Sequence, residues 1–85
     1  MKSLINQNLV KAIADMAIFL EFTSSELLDE DTSIGAMEQL AAELQLMNDE
    51  ERGDLVQQLK KMSKEYSDEH KSNFIANLPE TIGLE

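Results

Sequence analysis

The chain has no cysteine, no tryptophan, one proline, one histidine and three glycines, and its seven bases face seventeen acids. Each shortage removes a class of answers. Without cysteine there is no disulfide to brace the fold, no thiolate zinc site and no cysteine nucleophile, a usage that fits a reducing compartment. One histidine, His70, cannot build a histidine-based metal centre or dyad, and its neighbours Asp68, Glu69 and Lys71 mark it as solvated. No glycine-rich loop follows a strand pattern, so a phosphate cradle of that kind is missing as well. Long apolar runs are also absent: the most apolar stretch, "LVKAIADMAIFLEF", is interrupted by Lys11, Asp15 and Glu21, which makes it too amphipathic for a bilayer span or a secretory leader. A cytoplasmic protein is expected. The formal net charge of −10 repels phosphate backbones and anionic lipid, which argues against nucleic acid and membrane as partners.

What is present is a periodic apolar pattern. Eighty-five residues form one domain, residues 1–85, because a chain of this length cannot divide its apolar side chains between two cores. Such a domain buries only about 60–65% of the surface its unfolded chain exposes, so association with another surface is the cheapest further source of burial. The terminal pair Leu84-Glu85 has the form of an expression-vector remnant preceding a purification tag, and no role is assigned to Glu85.

The periodicity predicts four helices. Over residues 4–22, Ile5, Leu9, Ala12, Ile13, Met16, Ala17, Phe19 and Leu20 cover half a helical wheel and are read as the core face, with Asn6, Gln7, Lys11, Asp15 and Glu21 opposite. Ile18 and Phe22 fall outside that stripe and, with Leu4, make a second apolar strip that a tail, a loop or another copy would cover. "TSSELLDED", residues 23–31, reads as a connector, with Thr23 and Glu26 at capping-box spacing and Leu27 and Leu28 tucked onto the core. A second helix over about 30–47 places Ile34, Met37, Leu40, Ala41, Leu44 and Met47 on one face, capped by Asp29 or Asp31. Gly35 inside it is expected to allow close packing. In "NDEERGDL", Asn48 and Glu51 form a capping box, opening a third helix whose stripe is Leu55, Leu59, Met62 and Tyr66. Ser67 then caps a fourth helix that buries Phe74, Ile75 and Leu78 until Pro79 stops it, and Ile82 and Leu84 anchor the tail. The expected fold is therefore all-α: a small antiparallel helical bundle of three longer helices, a short fourth helix and a packed C-terminal tail.

Charge is unevenly placed. Residues 23–51 hold nine acids and no base, while residues 1–22 balance. Some of these acids serve the positive ends of helix dipoles. The stretch "DEDTSIGAMEQL" invites a calcium-loop reading, and counting from Asp29 puts Asp29, Asp31 and Ser33 at loop positions 1, 3 and 5. Ile34 stands at position 6, where a glycine is needed, and Leu40 at position 12, where a bidentate glutamate is needed, so no metal site is expected. "DTSIGAME" in a small, acidic, helical chain loosely resembles the attachment site of acyl carrier proteins. That resemblance implies a prosthetic arm on Ser33, although Thr32 separates Asp31 from Ser33 and "LLDED" replaces the usual Leu-Gly.

The resulting expectation is a non-catalytic protein–protein interaction module without a cofactor. Its counterpart is a basic protein, in the manner of an inhibitory or immunity-type binder, with Glu26, Asp29, Glu30, Asp31, Glu38 and Glu43 as contact candidates beside Ile18 and Phe22. A homodimer through Leu4, Ile18 and Phe22, the carrier reading on Ser33, and an acidic surface that only confers solubility are the alternatives.

Overall fold

A computed structural model describes residues 4–85. They form four α-helices in chain order: α1 (Gln7–Phe22), α2 (Glu30–Gln45), α3 (Asp49–Met62) and α4 (Glu69–Thr81), with one 3₁₀ turn over Ser63–Glu65 between the last two. There is no strand among these residues, and no helix of theirs is long and apolar enough to cross a membrane. The bundle is as the periodicity predicts.

Each helix start is chemically explicit. The side chains of Asn6, Asp29, Asn48 and Asp68 accept backbone N–H groups of the first turns of α1, α2, α3 and α4, satisfying donors that a helix cannot pair internally. At Asn48 the capping box is complete, since Glu51 Oε1 accepts the Asn48 N–H in return. Asp68, not Ser67, caps α4: its carboxylate accepts the Lys71 N–H at 3.0 Å, and this bond holds the carboxyl below its usual titration range. An ionised acceptor at a helix N-terminus binds more strongly than a hydroxyl.

The core lies between α1, α3 and α4. Leu55 and Leu59 of α3, Ile75 and Leu78 of α4, and Val10, Ala14 and Ala17 of α1 have no exposed surface. Pro79 does not stop α4; it is buried inside the helix, which continues to Thr81. A proline lacks the N–H that would bond the carbonyl four residues back, but its fixed φ is compatible with the helix, which ends two residues later at Thr81. The chain then closes with a left-handed glycine, Gly83, at φ +75°. Around it the Leu84 N–H reaches Pro79 O at 2.8 Å and the Gly83 N–H reaches Glu80 O at 3.2 Å, the paired bonds of a Schellman cap. This cap turns Ile82 and Leu84 into the core, and Glu85 pairs with Lys60 of α3 at 2.7 Å.

Two expectations about packing are corrected. The face of α1 read as core is only partly so: Ala17 is buried and Ile5 and Ile13 pack on the core as expected, but the inward side is rotated away from the bulkier residues. Val10, Ala14 and Ala17 face inward, while Leu9, Met16 and Phe19 remain 60%, 53% and 51% exposed. Small inward residues let the backbone of α1 approach α3 and α4 closely, and a bulky stripe would hold it away. The supposed polar side is half inside: Lys11 lies 4.8 Å from the centre of the Tyr66 ring, and Ile18 packs on the core. The second correction concerns α2, whose apolar face is only half covered; none of its residues is buried. It packs along α1 and is tied to the far end of the bundle where the Gln45 amide donates to Ile82 O at 2.8 Å. Gly35 serves no close approach, since nothing lies within 4 Å of where its Cβ would stand.

Candidate functional site

The most acidic part of the chain borders a cleft of about 450 Å³ between the C-terminal end of α1 and the N-terminal half of α2. Its shape follows from the connector. Thr23 ends α1 with its N–H on Phe19 O, Ser24 Oγ accepts the Glu26 N–H at 3.1 Å, and Asp29 then starts α2. Thr23 and Glu26 thus form no capping box; Ser24 holds the turn. Leu28 is half-buried against it, but Leu27 points outward and is 85% exposed. Between the two helices, Leu20, Leu28, Ile34 and Met37 line the gap with Glu21, Glu30 and Glu38 around it.

Of the acids singled out in the sequence, Glu30 and Glu38 reach the cleft, whereas Asp29 is committed to its cap, accepting from both the N–H and the hydroxyl of Thr32. Glu43 accepts from Gln39 one turn earlier on the exposed side of α2. Glu26 and Asp31 are exposed. Ser33 is half-buried in the cleft wall one turn inside α2, its N–H bonded to Asp29 O at 3.0 Å, and so does not stand at the open start of the helix. Phe22 meets Phe74 of α4 edge to face, with ring centres 5.5 Å apart. Ile18 is half-buried against the core, and Phe22 leans on α4 while remaining 44% exposed.

A second surface was missed. Leu9, Ala12, Met16 and Phe19 share the outer side of α1, opposite Val10, Ala14 and Ala17, and all four are exposed. Their alternating three- and four-residue steps are the seam spacing of paired helices, a signal present in the sequence but assigned to the core.

Among the described residues no group of three or more histidines, aspartates or glutamates is arranged to hold a metal ion. A third feature is a polar clamp at the start of the chain. The Gln58 amide donates to Ile5 O and to Asp54 Oδ2, both at 2.8 Å, and the Ile5 N–H donates to the same Asp54 oxygen at 3.0 Å. It fastens the segment before α1 to α3. No family model matches the chain, and no curated protein or solved structure matches it significantly.

Proposed function

We propose that this protein is a non-catalytic interaction module that receives a basic, amphipathic segment of another protein in the α1–α2 cleft. The observation that supports this reading is the pairing of an apolar lining, Leu20, Leu28, Ile34 and Met37, with the acids Glu21, Glu30 and Glu38, all but Leu20 and Glu21 drawn from a stretch, residues 23–51, that contains no base. Apolar side chains on one stripe of the ligand would replace water in the cleft, and flanking lysines or arginines would meet the acids. Met37 suits such a role because an unbranched thioether adapts to differently shaped guests. The half-covered face of α2 gives the cleft room to widen at low cost, since few packed contacts have to be broken. An inhibitory or immunity-type protein that neutralises a basic target is one concrete form of this activity.

The test uses the full-length protein immobilised on a resin and a labelled helical peptide with leucines at every third or fourth position and lysines between them. Retention is expected at low salt and release at high salt, because pairing between exposed charges is screened within about 10 Å at 0.1 M. The double substitution Glu30→Lys with Glu38→Lys is expected to abolish retention without changing helix content. Equal binding by the wild-type and substituted proteins, or binding indifferent to salt, would overturn the proposal.

A further inference from the structure

We infer that the outer seam of α1 pairs with the same seam of a second copy of this chain, the two α1 helices running antiparallel. The inference uses none of the residues that line the acidic cleft and stands or falls separately from that reading.

Three observations carry it. The first is the seam itself. Leu9, Ala12, Met16 and Phe19 are spaced three, four and three apart on a helix of 16 residues, about 24 Å long, and the three large ones are each at least half exposed. A single exposed leucine is ordinary, but a continuous seam at knobs-into-holes spacing is not. The spacing is symmetric about its middle, so an antiparallel partner sets Leu9 against Phe19 and Ala12 against Met16. The short side chain meets the long one, and the seam fills evenly.

The second observation is area and shape. The chain exposes 5869 Å², several hundred Å² more than the roughly 5,100 Å² expected of a folded monomer of this mass. The excess is spread over the whole surface, and the exposed halves of Leu9, Met16 and Phe19 are part of it. The molecule is a slab measuring 44 × 29 × 20 Å, with a radius of gyration of 12.8 Å against about 11.9 Å for a compact chain of this length. Its thinnest dimension is close to two helix diameters.

The third is charge. A second copy carries the same net charge of −10, so self-association is favoured only where the acids stay apart. The segment up to Phe22 is charge-balanced, and the one acid flanking the seam, Asp15, is already paired with Lys11 and bonded by Tyr66. Antiparallel pairing sends the acid-rich turns carrying Glu26, Asp29, Glu30 and Asp31 to opposite ends of the seam, farther apart than the screening length of about 8 Å at physiological salt. Parallel pairing would place them side by side. Antiparallel packing also opposes the two helix dipoles.

Sedimentation at tens of micromolar reads the state of assembly, with a mass of twice 9.6 kDa expected and retained at high salt. Met16→Lys is expected to give a folded monomer, because Met16 touches solvent in the single chain and its replacement leaves the core intact. Gln39→Lys, on the exposed side of α2, is the control and should remain dimeric. Since the chain has no cysteine of its own, Leu9→Cys combined with Phe19→Cys should form disulfides between copies on oxidation, whereas neither single variant should do so. A monomeric wild-type protein overturns the inference, and so does a dimer unaffected by Met16→Lys. Cross-linking of the single variants to themselves reports a parallel pair and overturns the antiparallel arrangement.

Discussion

The hydroxyl of Tyr66 donates a 2.8 Å hydrogen bond to the carboxylate of Asp15, fifty-one residues away in sequence, and Lys11 Nζ pairs with the same oxygen at 2.8 Å. This triad joins α1 to the segment between α3 and α4. It also explains why a side of α1 that looks solvent-facing on a helical wheel is held against the bundle. The bond from Lys11 keeps the Asp15 carboxyl below its ordinary range, and the bond to Asp15 raises the Lys11 ammonium. Desolvation, helped by its bond to Asp15, raises the Tyr66 hydroxyl.

The triad makes stability depend on pH at both ends. Asp15 is more acidic folded than unfolded, so its contribution is present above the unfolded value near 3.9 and is lost as pH falls through the lower folded value. Lys11 and Tyr66 bind protons more tightly when folded. Their contribution is present below their unfolded values, near 10.4 and 10, and is lost as pH rises through the folded ones. Because Lys11 and Asp15 are about half exposed, the triad is worth only about 0.5–1 kcal/mol. Asp15→Asn should cost that much at pH 7, read as a lower urea midpoint with an unchanged slope, and the gap from wild type should close as the pH falls through the lowered folded value of Asp15.

The start of α3 depends on a reciprocal pair of hydrogen bonds, Asn48 Oδ1 with the Glu51 N–H at 2.8 Å and Glu51 Oε1 with the Asn48 N–H at 3.4 Å. Asn48→Ala removes the stronger bond and leaves a helix donor unpaired, at a cost of about 1 kcal/mol, whereas Asn48→Asp should be nearly neutral. Thermal unfolding distinguishes the two. For a domain of this size the alanine variant should melt about 4–8 °C lower.

These two relationships also show what was legible in the sequence. Asn48 and Glu51 are neighbours in the chain, and their spacing announced the box before any coordinates. The Tyr66–Asp15 bond depends on which side of α1 faces inward, and the helical wheel could not decide this because apolar residues occur on both sides of that helix. Bulk pointed to Leu9, Met16 and Phe19 as core. The packing uses the small face of Val10, Ala14 and Ala17, which can come closer to Leu55, Leu59 and Ile75. The acids Glu30 and Glu38 were legible in the sequence, but the cleft they border was not, because it depends on how α2 sits against α1, a tertiary property. The end of α4 was misread because a proline inside a helix forfeits one N–H bond without ending the helix, and the ring of Pro79 is buried in the core, where it packs.

Two glycines should respond to alanine with opposite signs. Gly35 is exposed in the interior of α2 with nothing within 4 Å of a new methyl group, so Gly35→Ala should stabilise the protein by up to about 1 kcal/mol through helix propensity and a less flexible unfolded chain. Gly83 has φ +75°, and a Cβ there would stand 2.8 Å from Gln45 Nε2. Gly83→Ala should therefore cost about 1–2 kcal/mol, from backbone strain and from loss of the Gln45 bond to Ile82 O. Urea titrations of the two variants beside wild type give both signs in one experiment.

The uneven burial of the helices sets a hierarchy of stability. α3 contributes Leu55, Leu59 and Met62 to the core along with Val56, while α2 contributes no buried residue. Opening α2 should therefore cost much less free energy than unfolding the whole domain, and its amides should exchange with deuterium well before those of α3. Side-chain truncation should show the same ranking. Leu59→Ala leaves a cavity at the centre of the bundle and costs about 2–5 kcal/mol, a large share of the roughly 4–13 kcal/mol available to a domain of 85 residues. Met37→Ala, at the half-covered cleft, should cost about 1 kcal/mol or less, because its side chain already touches water. The two measurements should agree: Leu59→Ala speeds exchange in every helix, whereas Met37→Ala speeds it in α2 alone. Such local opening is also what a cleft needs if it is to accept a guest helix without unfolding the core. Uniform exchange across α2 and α3 would mean that the domain opens only as a whole and that the cleft is rigid.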